Sequence, residues 1–196
     1  MAGAAGLQAP GGASVPAATI PTIETERLVM KGHSLEDYEE CLALWSDPAV
    51  VRYISGKPST REEMWSRLLR YVGHWDLLGF GFWVVREKAT GRLVGEVGLG
   101  DFHRDMQPPL SAGPEAGWVL APGFHGKGYA TEAVRAALAW ADAQLSPERV
   151  VCIIAPENAA SIRVADKCGF RQTGQGRYKG EPSLMFERLA PVKAGT

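Results

Sequence analysis

The 196-residue chain is predicted to be an α+β protein with one mixed β-sheet flanked by helices. Three features of the sequence predict this. Two helical patterns precede the first long strands, and two apolar runs joined by a short polar turn form a hairpin. A strand, a glycine loop, an amphipathic helix and a strand then follow in the order of a parallel crossover. With 45% hydrophobic and 22% charged residues, the chain has enough apolar side chains to bury a core in a single domain.

Residues 1–21 are small, rich in Gly and Pro and nearly uncharged, and are expected to be a flexible N-terminal tail. They lack the basic start and continuous apolar run of a signal peptide. The domain is expected over 22–190, with a short C-terminal tail at 191–196. Glu24 to Gly32 reads as a first strand. Ser34 and Asp37 stand at capping-box spacing before a helix with Tyr38, Cys41, Leu42 and Trp45 in register, which Asp47-Pro48 should end. Thr60 and Glu63 form a second box, opening a helix whose inward face would be Trp65, Leu68, Leu69, Val72 and Trp75.

FGFWVVRE and RLVGEVGLG, separated by Lys88-Ala89-Thr90-Gly91, form the hairpin. The segment DFHRDMQPPLSAGP reads as a loop. Glu115 to Leu120 and Arg149 to Ile154 are strands expected to run parallel. The helix between them carries Ala130, Ala133, Val134, Ala137, Leu138, Ala141 and Leu145 on one stripe. A short helix from Ala159 to Gly169 and strands near 170–178 and 183–189 complete the sheet. There is no internal repeat.

A net charge of -1 excludes nucleic-acid binding through a global basic field, so any anion site must be local. No apolar run is long enough for a membrane span. Cys41, Cys152 and Cys168 are odd in number and far apart, which fits reduced thiols in a cytoplasmic protein. His33, His74 and His103 lack metal-ligand spacing, so no metal is expected. The protein is expected to be a monomer or homodimer.

The stretch GFHGKGYATEA, Gly123 to Ala133, runs straight into the crossover helix. A helix start presents unpaired N–H donors and the positive end of the helix dipole, and glycines let a phosphate come close. Gly123 to Ala130 therefore reads as a pyrophosphate cradle, with Lys127 adding charge and Thr131 a hydroxyl. The alternative is a strand-to-helix turn whose glycines only supply unusual backbone angles. The dinucleotide fingerprint fails because Gly126-x-Gly128-x-x-Thr131 lacks its third glycine. The Walker loop fails because no Ser or Thr follows Lys127.

The stretch EAGWVLAPGFHGKGYATEAVRAAL, with NAASIRVADKCGF after it, resembles the GNAT N-acetyltransferase superfamily. TERLVMKG is similar to the first strand of its ribosomal-protein N-terminal acetyltransferase-like branch. The resemblance spans roughly 22–189 and implies a sheet splayed between the strands at Trp118 and Arg149. It also implies acetyl-CoA as cosubstrate and an amine acceptor, either a peptide N-terminus or a small molecule. The family's Q/R-x-x-G-x-G/A signature falls on His125, Gly126, Lys127, Gly128, Tyr129 and Ala130, with His125 departing from the pattern. The resemblance further implies that Trp118, Val119 and Leu120 pair with the pantetheine amides and that Asn158 touches the same arm. As an N-cap, Asn158 would serve both uses.

Acetyl transfer requires a neutral amine, whereas an alkylamine with a pKa of about 10.4 arrives protonated. A base is needed, and the candidates are Glu115, at the start of its strand, and Glu96, mid-strand among Val94, Val97 and Leu99. The family's tyrosine acid position holds Ala165, so either Ser161 protonates the leaving thiolate or no dedicated acid exists. Glu132 reads as an anchor for backbone N–H groups. Tyr53, Trp75 and Phe82 are candidates for lining an acceptor pocket. A non-catalytic acyl-CoA-binding module of the same fold is the alternative to an enzyme.

Overall fold

In the computed structural model, which describes residues 19–191, the chain opens with two short strands, β1 (Ile23–Glu24) and β2 (Leu28–Lys31). The single strand expected over Glu24 to Gly32 is therefore broken. Residues 1–18 and 192–196 of the expected tails lie outside the described residues. The last two residues of the N-terminal stretch touch the domain: Ile20 packs against the core, and the Pro21 carbonyl accepts from Trp83 Nε1 at 2.8 Å.

Helix α1 (Tyr38–Ser46) follows the Ser34–Asp37 capping box. Asp47 ends it and also caps a further short helix, α2 (Pro48–Val51), by accepting from the Ala49 N–H. The Thr60–Glu63 box opens α3 (Arg61–Leu78) with both reciprocal bonds made.

The buried face of α3 differs from the expected one. Met64, Leu68, Tyr71, His74 and Trp75 are buried, while Trp65, Leu69 and Val72 are 44%, 53% and 42% exposed. Two apolar stripes share Leu68 and Trp75, so periodicity alone could not choose between them. Tertiary contacts decide the choice: Tyr71 stacks on Phe82 at 4.7 Å, and Trp75 Nε1 donates to the Phe82 carbonyl at 3.0 Å.

The hairpin is β3 (Phe82–Glu87) and β4 (Leu93–Gly100). The following segment is mostly loop, but β5 (Met106–Gln107) within it pairs with the C-terminal hairpin. Then come β6 (Glu115–Leu120), α4 (Tyr129–Gln144), β7 (Arg149–Ile154), α5 (Ala159–Lys167), β8 (Arg171–Tyr178) and β9 (Glu181–Leu189). They form one nine-stranded sheet in the order β1-β2-β3-β4-β6-β7-β9-β8-β5.

Neighbouring strands are antiparallel except β6 and β7, which are parallel and meet only at Glu115 opposite Val151. Beyond that pair β6 stays bonded to β4 through Leu120, so the sheet is parted there, as the resemblance implied. Alternate residues serve two cores, as the period of a strand requires. Val85 and Leu120 face α4, while Val84 and Val119 face α1 and α3. Trp75, Trp83 and Trp140 meet edge-on in the first core, with ring centroids 4.8 to 5.3 Å apart.

Candidate active site

Helix α4 starts without a side-chain cap. Its N-cap is Gly128 at φ +83°, preceded by Gly126 at φ +74°, both in the left-handed region that favours glycine. The first helical N–H with a backbone acceptor is that of Glu132, bonded to the Gly128 carbonyl at 3.0 Å. The amides of Tyr129, Ala130 and Thr131 thus have no acceptor within the helix. A Cβ at Gly126 would meet nothing within 4 Å, and one at Gly128 only Arg27 Nη2 at 3.4 Å. Packing does not demand glycine here; backbone conformation and open approach do.

The side chains of the loop have separate partners. Lys127 Nζ donates to the Gly123 carbonyl at 2.7 Å, so its charge folds back over the loop. His125 Nε2 donates to the Leu120 carbonyl at 2.8 Å, joining the loop to the end of β6. The Tyr129 hydroxyl donates to Glu87, and its ring lies under the Arg27 guanidinium, 4.2 Å from centroid to Cζ.

Arg27 is a site residue that sequence reasoning missed. It donates from Nη1 to the Lys127 carbonyl at 2.9 Å, and its backbone N–H donates to Glu132 at 2.9 Å. Glu132 also accepts from the Thr25 hydroxyl at 2.6 Å, in the anchoring role expected of it. Burial opposes its charge, but the donors of Thr25 and Arg27 outweigh that and hold its carboxyl below the ordinary value. An open basin of about 490 Å³ lies beside the helix start, lined by Arg27, Arg135 and Lys167 together with Glu26, Glu132, Gly128 and Thr131. Its basic residues are scattered along the chain.

On the far side of the parting, Asn158 caps α5 by accepting from the Ser161 N–H at 3.1 Å. Ser161 Oγ accepts from Trp118 Nε1 at 3.2 Å, which bridges β6 to α5. Val119 and Leu120 are buried in the two cores, while their backbone lies on the parted edge.

The two carboxylates are held differently. Glu96 is fully buried, accepting from His33 Nε2 at 3.0 Å and Trp45 Nε1 at 2.7 Å. Burial opposes its ionisation; the hydrogen bond and charge of His33, with Trp45 and Cys41, hold its carboxyl below the ordinary value. Its position pushes the Cys41 thiol up further than burial alone does. His33, Cys41 and Glu96 bring their ligand-type atoms within 4.8 Å of one another, although sequence spacing left them unclustered. They form a hydrogen-bonded set in which the imidazole faces the carboxylate.

Glu115 sits where β6 and β7 part, its side chain 8% exposed and paired with Arg104 Nε at 2.6 and 2.9 Å. Among the aromatic candidates, Trp75 belongs to the core and Tyr53 lies partly exposed after α2. Phe82 lies against the parted strand: a Cβ at Gly117 would stand 2.8 Å from its Cζ. Among the described residues, no helix is long and apolar enough to cross a membrane.

The model of the acetyltransferase (GNAT) domain matches residues 27–171. The uncharacterized N-acetyltransferase p20 of Bacillus licheniformis is 27% identical over 154 residues, 78% of this chain and 84% of that protein. A GNAT-family acetyltransferase structure from Bordetella pertussis is 30% identical with a TM-score of 0.77, covering 86% of this chain and 99% of that one. The spermidine N-acetyltransferase of Vibrio cholerae, in complex with CoA and spermine, shares the fold at 20% identity and a TM-score of 0.67, covering 85% of this chain and 97% of that one. With three quarters of its length under the family model and its parted sheet in place, the chain belongs to the GNAT acetyltransferase family.

Proposed function

We propose that the protein is an acetyl-CoA-dependent N-acetyltransferase that acetylates a primary amine by direct attack. The observation that carries this reading is the uncapped start of α4, at a loop with two positive-φ glycines beside a parted strand. The amides from Gly126 to Thr131 would hold the pyrophosphate, with Lys127, Arg135 and Lys167 adding charge. The backbone of Trp118, Val119 and Leu120 would hold the pantetheine arm, and the amide of Asn158 would reach it from α5. Acetyl-CoA, when bound, supplies the acyl group as a thioester.

The residues of this chain then have three tasks. A base must take the ammonium proton. Glu115 is the better placed carboxylate because it stands where the strands part, whereas Glu96 is sealed behind His33 and Trp45. Acting through water, Glu115 would exchange part of its Arg104 pairing for the incoming proton. A backbone N–H of β6 on the parted edge would meet charge developing on the carbonyl oxygen. Ser161 accepts from Trp118, so its own O–H remains available to the leaving thiolate.

Thiol release from acetyl-CoA, measured with a panel of amines, tests this reading. Acetylation of at least one amine supports it. Tight coenzyme binding with no acetylation of peptides, polyamines or aminoglycosides would identify a binding module instead.

A further inference from the structure

The α3 wall carries two guanidinium groups without carboxylate partners among the described residues. Arg67 and Arg70 stand one turn apart on α3. The Arg67 Cζ lies 3.5 Å from the Trp45 ring centroid. Its Nε is buried without a hydrogen-bond partner, and its one hydrogen bond, Nη2 to Ser59 Oγ, spans 3.5 Å. A buried donor left unmatched costs stability, so something outside the described residues is expected to satisfy it.

Arg70 reaches the surface, its Cζ 5.4 Å from the Phe102 ring centroid and 5.9 Å from that of Tyr71. Burial still pushes its pKa down; Tyr71 opposes this, and the charges of Arg67 and Arg104 add to it. Arginine stays charged regardless, so the wall keeps its positive charge at working pH.

Arg70 adjoins β6 through the ring of Phe102, and Arg67 stands one turn before it on the same helix. Phe102 lies 6.1 Å from Phe82, whose ring lies over Gly117 of β6. Arg104 lies 4.8 Å from the same Phe102 ring and is neutralised by Glu115. Glu115 is paired with Arg104 and Glu96 is sealed with His33, so neither carboxylate is paired with Arg67 or Arg70. An isolated ammonium would be repelled by such a wall. An amine whose molecule also carries an oxyanion would be drawn in by it and oriented, with the amine directed away from the arginines.

We propose that the acceptor is a small primary amine bearing a carboxylate or phosphate group, and that Arg67 and Arg70 receive that group. This rests on the acetyltransferase reading above. Both anions share the planar or trigonal oxygen face that a guanidinium fork matches.

The test compares matched acceptors on the full-length enzyme: free amino acids against their methyl esters, and aminoalkyl phosphates against the corresponding amino alcohols. A preference for the charged member of about tenfold or more in kcat/KM is expected, and the two pairs distinguish carboxylate from phosphate. Arg67→Gln and Arg70→Gln should shrink that preference by raising KM for the charged acceptor. Arg67→Lys should keep part of it. Coenzyme A affinity, read by calorimetry, shows that each variant is folded.

Acetylation of esters and alcohols as readily as of their charged partners would overturn this inference and leave the acetyltransferase reading standing. So would a preference for the charged acceptor that survives in both glutamine variants, or acetylation of peptides alone. Absence of transfer to any amine would overturn both readings together.

Discussion

The two walls of the parted sheet are made of different material. The cradle wall is backbone: two left-handed glycines, an uncapped helix start and a bare strand edge. The wall toward α3 is side chain: Glu115 against Arg104, and a row of aromatic rings from α3 to the loop after β4. A backbone wall can receive any ligand with the right phosphate spacing. A side-chain wall selects, because each group must be matched in charge and shape. Contact with the coenzyme should therefore tolerate side-chain changes that the acceptor wall does not.

The largest effect is expected at Glu96. Replacing it with Ala leaves the Trp45 indole N–H and the His33 ring without their buried acceptor, and should cost about 3 kcal/mol in chemical denaturation. The carboxyls of Glu96, Asp37 and Glu132 are all held below their ordinary values, so the folded state binds fewer protons than the unfolded chain in acid. Their stabilisation is present above the ordinary carboxylate range, about pH 4, and is lost as pH falls below it. A thermal melting series from pH 6 to pH 3 should fall more steeply for the wild type than for a folded Glu96→Gln variant. Equal slopes would mean that Glu96 does not titrate with folding.

Next comes Glu115. With Gln in its place, turnover at neutral pH should drop by about 100-fold while coenzyme affinity holds, and part of the loss should return toward the acceptor's own pKa. Wild-type turnover at neutral pH would remove Glu115 from the reaction and leave solvent or a bound water as base. On the backbone wall, Gly128→Val forces a β-branched residue to φ +83° and should weaken coenzyme A binding on the order of tenfold in calorimetry. Unchanged affinity in the folded variant would sink the cradle. The smallest effect is expected for Lys127→Ala, about threefold, because its exposed ammonium already donates to the Gly123 carbonyl and is screened by salt. A loss larger than that of Gly128→Val would reverse the comparison, making charge rather than backbone the main holder.

The sequence by itself determined the order of the longer elements, the crossover between β6 and β7 and the glycine loop, because hydrophobic period, capping residues and glycine are local signals, while the split first strand, α2 and β5 escaped it. It placed Glu132 as an anchor and Asn158 as a cap for the same reason. Only the tertiary structure decided which stripe of α3 faces inward, since Leu68 and Trp75 belong to both and the choice lay with Phe82. It also set the surroundings of the two candidate carboxylates. Glu96 meets His33 and Trp45 from 63 and 51 residues away, and Arg27 reaches the loop from 100 residues away. No window of the chain contains such a meeting, because it arises where separate elements pack on one sheet, and there the burial and the partners of each charge are set.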